Sequence, residues 1–493
     1  MQELLGAVRA GLRVVFGALV CVGLPLLFSH AARSETLEEA LVKTYTTNPD
    51  LAAERAAVRA TDEQVSKARA KWRPSLNAVA DYELSSESEK KGATHYDSRS
   101  RSWSADLVAK QPLFTGGRNG AARRIADANV QAARARLRGK EQHILLEAAS
   151  AFATVVRNEA ILDLVRGDIV LLQDLLKEIG ARQDTGKATD SDVDQVQASL
   201  EAARAVCIAH DAALQNSWRS YEQVVGEPPV IVSPAGDAAN VSPCVDARGA
   251  RRKSALVMPE KLPRVPAALD EVEQAAQGNL PQLDAARAEE EASRGDVSAA
   301  YAELLPHAGL TASIGTSGEE VDPQSLSREA TVSATLRIPL FNTGAEWSEI
   351  RAARERANQA RLEITSAQRR AMRDAYAAWY DLVSVRAVRA VSKVQAQTVL
   401  RAFQGLRKEM ADPKLHRSVT DLLGLRQVYL ATQIALMDSN KGEAVSVFRL
   451  LAATGKLNAK ELNLPVEIYE AETNLKRPPQ STGGARGSNG TSF

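Results

Sequence analysis

The sequence predicts a mainly α-helical protein with a β-barrel part: an internally duplicated chain of long coiled-coil helices that contributes four membrane-crossing strands. Three observations predict it. The two halves of the chain repeat one another, each half holds two stretches of strict apolar–polar alternation, and each holds a proline-free amphipathic run too long for a globular domain.

The chain begins with Arg9 and Arg13, an apolar run from Val14 to Phe28, and small residues at Ser29 and Ala31. This is the build of a secretory signal cleaved near Ala31, so residues 1–31 are expected to play no part in the fold. The run is short for a transmembrane anchor. Cys21 inside it lacks the preceding small residue of a lipoprotein signal. The mature chain keeps Cys207 and Cys244. Export permits a disulfide between them, and two free thiols fit the sequence equally well.

The repeat starts where "TLEEALVKTYTTNPDL" from Thr36 is matched by "ALDEVEQAAQGNLPQL" from Ala268. Leu37 falls on Leu269, Pro49 on Pro281, Leu51 on Leu283 and Pro74 on Pro306, at one constant offset. After a five-residue slip, Pro112 falls on Pro339, Phe114 on Phe341 and Phe152 on Trp379. The slip lies in polar segments, "SSESEKKGATHYDSRS" and "SGEEVDPQSLS", as expected of exposed loops. The repeats span 36–225 and 268–455. Residues 226–267 are proline-rich and aperiodic, hence a linker or equatorial collar. Residues 456–493 form a C-terminal equatorial segment whose Gly/Ser/Pro-rich tail, from Lys476, is expected to be disordered.

Each repeat carries two strands of period two. Leu76, Ala78, Ala80, Tyr82 and Leu84 oppose Asn77, Asp81 and Glu83; Trp103, Ala105, Leu107 and Ala109 oppose Ser104, Asp106 and Lys110. In the second repeat Ala308, Leu310, Ala312 and Ile314 oppose His307, Thr311 and Ser313. Ala330, Val332, Ala334, Leu336 and Ile338 oppose Thr331, Ser333, Thr335 and Arg337. Segments of ~10 residues joined by polar loops have the length of membrane-crossing strands. On that reading Trp103, Leu107, Leu310, Leu336 and Ile338 meet outer-membrane lipid, and Asp106, Lys110 and Arg337 line the lumen. Four strands leave two unpaired edges, which lipid does not tolerate, so the barrel must be shared between chains. Two chains would give eight strands and a filled interior; three would give twelve and room for a pore.

Between Pro112 and Pro228, and again between Pro339 and Pro413, there is no proline. From Gly120 to Gln183 apolar residues recur at steps of three and four, among them Ile144, Leu145, Ala148, Phe152 and Val155. As one helix this run would reach ~96 Å at ~1.5 Å per residue, a length that calls for coiled-coil packing. Each rod breaks once, near Gly186 and near Pro413, and a further helix follows. Each repeat therefore reads helix, hairpin, long helix, tight turn, helix.

The charges nearly cancel, with 62 Lys and Arg against 61 Asp and Glu, which argues against nucleic acid as a partner. The six histidines are scattered, and no metal-ligand spacing, phosphate loop or catalytic grouping is present, so an enzyme is not expected and no cofactor or metal is called for. A periplasmic coiled-coil scaffold with soluble hairpins is the main alternative. An adaptor protein fits less well, since helix dominates both halves.

The duplicated start with its proline and leucine, the proline before each first strand, the "PLF-x-x-G" exit from each second strand and the Ser/Thr–Asp at each helical turn together resemble the TolC family of outer-membrane efflux proteins. The likeness runs over nearly all of the mature chain. It implies a homotrimer with a twelve-strand barrel in the outer membrane and an α-helical tunnel through the periplasm. It also implies a periplasmic adaptor and an inner-membrane transporter of ABC, RND or MFS type, for efflux or type I secretion. By the same resemblance Ser191, Asp192, Arg417 and Asp421 close the periplasmic aperture, and adaptor tips dock at the turns of Gly186 and Leu415. The chain departs from the family pattern at Gly424, where a second ring aspartate is expected, at Asp412, where a closing tyrosine is expected, and at Leu415, where a glycine is expected. Thr189-x-x-Asp192 and Ser418-x-x-Asp421 also read as helix-capping boxes, a role compatible with the aperture.

Overall fold

The computed structural model describes residues 35–91, 94–232, 244, 252–278, 280–319, 326–341, 343–411 and 417–471; the signal segment and the end of the tail lie outside the described residues. The first half runs β1 (Glu35–Thr36), α1 (Leu37–Thr47), α2 (Pro49–Ala70), β2 (Ser75–Lys91), β3 (Thr94–Thr115), α3 (Arg118–Asp184) and α4 (Asp190–Val225). Short strands β4 (Ile231–Val232), β5 (Lys253–Ser254) and β6 (Leu256–Val257) occupy the linker. The second half follows as α5 (Leu269–Gln277), α6 (Pro281–Ala302), β7 (His307–Glu319), β8 (Ser327–Arg337), α7 (Ala345–Ala411) and α8 (Val419–Ala453).

The element order of the first half recurs in the second. The rods α3 and α7 are 67 residues each, about 100 Å at ~1.5 Å per residue. Their returning partners α4 and α8 are 36 and 35 residues. One detail differs from the sequence reading: the opening helix of each half is two helices. Asn48 caps α2 by accepting from the Leu51 amide at 3.1 Å, with Pro49 in the first turn. Pro281 stands likewise at the start of α6. Proline lacks the N–H that a continuous helix would need, and fits where helix N–H groups are unpaired anyway.

Ile144, Leu145, Ala148, Phe152 and Val155 of α3 are all buried. They belong to one continuous core with the facing stripes of α4 and α8, where Leu200, Leu214, Tyr221, Leu422, Val447 and Phe448 are buried. Near the sheet α3 packs on α2 and α6; farther away it packs on α4 and α8, while α7 lies along α6 and then α8.

The strands form one antiparallel sheet in the order β2-β3-β7-β8. β2 and β3 extend to 17 and 22 residues, so much of the segment expected as a loop continues the ribbon instead. Its regular ladder runs from Ser75↔Lys110 to Lys91↔Thr94. A bulge between Pro112 and Phe114 shifts the register where β3 leaves the sheet toward α3; proline, with no N–H for the ladder, is tolerated there.

The linker and the C-terminal segment lie across the helices. β1 pairs with β6 and β4 with β5. Glu159 of α3 accepts from the Ser254 amide at 2.7 Å, and Glu141 from the Ala459 amide at 2.8 Å. Cys207 in the middle of α4 and Cys244 of the linker form a disulfide, which settles the question their sequence left open. Closing a loop of 37 residues contributes about 3–4 kcal/mol on a chain-entropy argument.

Candidate channel faces and aperture

The sheet register sorts the strand residues into two faces. Leu107 pairs with Ala78 on one side and Ile314 on the other, and Ile314 pairs with Ala330. The same rule places Leu76, Tyr82, Trp103, Leu310 and Leu336 on this one apolar face. Asp106 pairs with Val79 and Gly315, Lys110 with Ser75 and Thr311, and Arg337 with His307, which places all three on the opposite, polar face. Val79 and Val108 share that face and are its apolar exceptions. Ile338 lies one residue beyond β8, so the ladder does not assign it a side.

Exposure on this sheet is reversed from that of a soluble hairpin. Leu107 and Ile314 are 44% and 60% exposed, while Ser104, Asp106, Ser313 and Gly315 of the same strands are half-buried. The reversal belongs to the central strands β3 and β7; the described side chains of β2 and β8 are exposed on both faces. Glycines admit the bulkier side chains: the Asp106 carboxylate occupies the space that a Cβ on Gly315 would need, and the Trp103 indole lies over Gly318.

At the far end of the rods, α3 ends in a Schellman turn. The Lys187 amide donates to the Arg182 carbonyl and the Gly186 amide to the Gln183 carbonyl, each at 2.8 Å. Gly186 has φ +70°, and a side chain there would be strained. The glycine that the family resemblance marks for docking is thus also required by the turn itself. Leu415 and Asp412 lie outside the described residues.

α4 then starts with a complete capping box. The Thr189 hydroxyl accepts from the Asp192 amide at 3.2 Å, while the Asp192 carboxylate accepts from the Thr189 amide at 2.9 Å and its hydroxyl at 2.7 Å. These bonds, the backbone one foremost, hold the Asp192 carboxyl below its ordinary value of 3.8. Ser191 beside it is exposed, with its hydroxyl 3.5 Å from the Gln195 amide nitrogen.

The second turn is built differently. Ser418 caps α8 by accepting from the Thr420 amide at 3.1 Å, and the reciprocal bond that would complete a capping box with Asp421 is not made. Asp421 is exposed on the first turn of α8. Arg417 pairs with Glu409 at 2.9 Å, which ties the start of α8 to the last turn of α7. Within the chain it is not joined to Ser191 or Asp192.

The contacts that do join the two coils at this end are ones the sequence did not reveal. Arg182 donates to the Met410 carbonyl at 2.8 Å, linking α3 to the C-terminal turn of α7. The Thr420 hydroxyl donates to Gln195 Oε1 at 2.9 Å, linking α8 to α4. Above them a buried ion pair of Arg426 and Asp168, 2.6 Å apart, bonds α8 to α3. Burial pushes the Asp168 carboxyl up and Arg426 pulls it back down. A basic residue in the last turn of α3 was the only trace of Arg182 in the sequence; its partner is known only once the coils are laid side by side.

A sheet with one apolar and one polar face is thus set on paired ~100 Å rods. The family model described as outer membrane efflux protein matches residues 40–227 and 272–456, taking in both halves. The chain belongs to this family. It is 29% identical over 465 residues to outer membrane efflux protein BepC of Brucella suis biovar 1 (strain 1330), covering 93% of this chain and 94% of that one. It is also 23% identical to nickel-cobalt-cadmium resistance protein NccC of Alcaligenes xylosoxydans xylosoxydans, over 71% of this chain and 74% of that one. Among solved structures, the Campylobacter jejuni CmeC outer membrane channel superposes with a TM-score of 0.72 at 13% identity, over 89% of this chain and 88% of that chain. The efflux protein family consists of transport proteins, not enzymes. Membership places the chain in the outer membrane with its helical tunnel in the periplasm.

Proposed function

We propose that three copies of this chain close into a single channel-tunnel with a twelve-strand barrel, built on the repeats 36–225 and 268–455. In this reading it exports small molecules, proteins or both to the exterior, as the outer component of a tripartite efflux or type I secretion system. A periplasmic adaptor docks at the turns of Gly186 and Leu415 and couples the channel to an inner-membrane transporter. The observation that carries the reading is the reversed exposure of the sheet. On the central strands apolar side chains are more exposed than their polar neighbours, as a lipid-facing side would be, and closure into a ring would enclose the polar face. Trp103, Leu107, Leu310, Leu336 and Ile338 then meet lipid, and Asp106, Lys110 and Arg337 line the lumen.

Ring closure is favoured because β2 and β8 each have one neighbour in the sheet, and unpaired edges are costly in hydrocarbon. With four antiparallel strands per chain, β8 of one copy meets β2 of the next in antiparallel sense. Eight strands would leave an interior that side chains fill, whereas twelve leave a pore. At the periplasmic end, Ser191, Asp192, Arg417 and Asp421 form the aperture, with Arg417 exchanging Glu409 for the neighbouring coil when the copies assemble. The intact mass of the protein in detergent tests this directly. A trimer is expected, and a monomer or dimer would rule the reading out.

A further inference from the structure

The outward face carries a second feature beyond its apolar band. On β3 the band ends at Trp103, and the next positions on that face are Arg101 and Arg99, set opposite Leu84 and Ser86 of β2. On β8 it ends at Ala330, and the next position is Arg328, opposite Thr316. All three arginines are exposed. No acidic residue stands on this face between the band and Arg99. On the opposite, polar face at these heights stand Asp81, Glu83, Glu319 and Glu329. As far as Arg99 charge is sorted by face, arginines on the apolar side and carboxylates on the polar side; Asp97, opposite Ser88, is the next position on the arginine face. Near its end the band carries Tyr82 and Trp103, paired across the strands, with the amphipathic character of an interfacial aromatic girdle, and on β2 it runs one step further to Leu84, opposite Arg101. The helices are periplasmic, so this end of the sheet reaches the outer leaflet.

We propose that Arg99, Arg101 and Arg328 form a cationic collar that binds the phosphate groups of anionic lipid headgroups in the outer leaflet. The occupant is a phosphate-bearing lipid because the arginines continue an apolar band that acyl chains would cover, and the guanidinium fork matches phosphate oxygens in a two-point contact. A soluble anion would gain nothing from that continuity. The collar rests on the reading of the apolar face as lipid-facing.

The test uses the delipidated full-length protein in detergent, offered bisphosphorylated lipid A or the same lipid stripped of its phosphates, with retention measured by native mass spectrometry. The wild type is expected to prefer the phosphorylated lipid at least about tenfold, and a variant with Arg99→Ser, Arg101→Ser and Arg328→Ser to lose that preference. Each single substitution should give a partial loss, which keeps the test decisive if the triple variant folds poorly by circular dichroism. Quenching of Trp103 fluorescence by brominated acyl chains, read as the difference from Trp103→Phe, checks the underlying face separately. If quenching persists while wild type and variants hold both lipids alike, the collar is refuted and the lipid face stands. Absence of quenching overturns both.

Discussion

Asp192 shows how one side chain can serve the local fold and also the proposed aperture. Hydrogen bonds from Thr189 lower its pKa, so the charged form is favoured more in the folded chain than in the unfolded one. Its stabilisation of α4 is therefore fully present above pH 3.8 and lost as pH falls through the lowered value. Normalised amide protection at Asp192 and Val193 should fall over that window, and Thr189→Ala should remove the transition at a cost of about 1 kcal/mol. The buried pair of Asp168 and Arg426 obeys a different rule. Arg426→Ala strands a carboxylate that is 6% exposed and should cost about 3–5 kcal/mol. The double change Asp168→Leu, Arg426→Met should recover most of that loss in denaturation followed by circular dichroism, and failure to recover it would show that the pair does more than balance its own charges. Position explains what was legible here. The cap at Thr189 is a local pattern spanning four residues, Thr189 to Asp192, and could be read directly. Arg426 and Asp168 are 258 residues apart, and nothing local to either names the other.

At the scale of elements, alternation foretold all four strands and both faces, because a period of two leaves a residue no choice of side once the pleat is set. It did not foretell where the ribbon ends. β2 and β3 run on through a polar segment where both faces meet water and alternation carries no signal. A charge on the apolar face should be far less tolerated than a change on the polar one. Leu107→Arg, in the middle of the apolar band, is expected to cost about 2–4 kcal/mol, while Thr335→Ser costs little. Refolding into lipid vesicles at increasing urea measures both, and equal tolerance would mean that the faces have been misassigned. The rods were the most legible elements, since a proline-free amphipathic run of that length has few alternatives. The splits at Pro49 and Pro281 were weaker signals, because a proline is tolerated in the first turn of a helix and so marks a start as readily as a loop.

For the whole molecule the proposed trimer implies a gate whose closing contacts are few beside the packing of the rods. An exposed charge-assisted contact such as that of Arg417 is worth about 1 kcal/mol, small for folding but sufficient to bias a two-state opening repeated three times. Arg417→Ala is expected to raise single-channel conductance in planar bilayers with the assembly intact, and Asp421→Asn to reduce cation preference. Conductance no greater than wild type in an intact Arg417→Ala channel would remove Arg417 from the gate. Because Gly424 stands where a second carboxylate would complete an axial ring, block by divalent cations should be modest.

The sequence alone determined the duplication, the rods, the four alternating strands and the capped turn at Thr189, because each is written in neighbouring residues or in the offset between the halves. The tertiary structure decided which of those pieces touch: the disulfide from α4 to the linker, the clasp of Arg182 on the end of α7, the pairing of Arg417 with Glu409, and the register that carries each face across all four strands. Contacts of that kind depend on where long helices lie side by side. Lateral placement is set by the summed packing of many side chains, none of which specifies it alone.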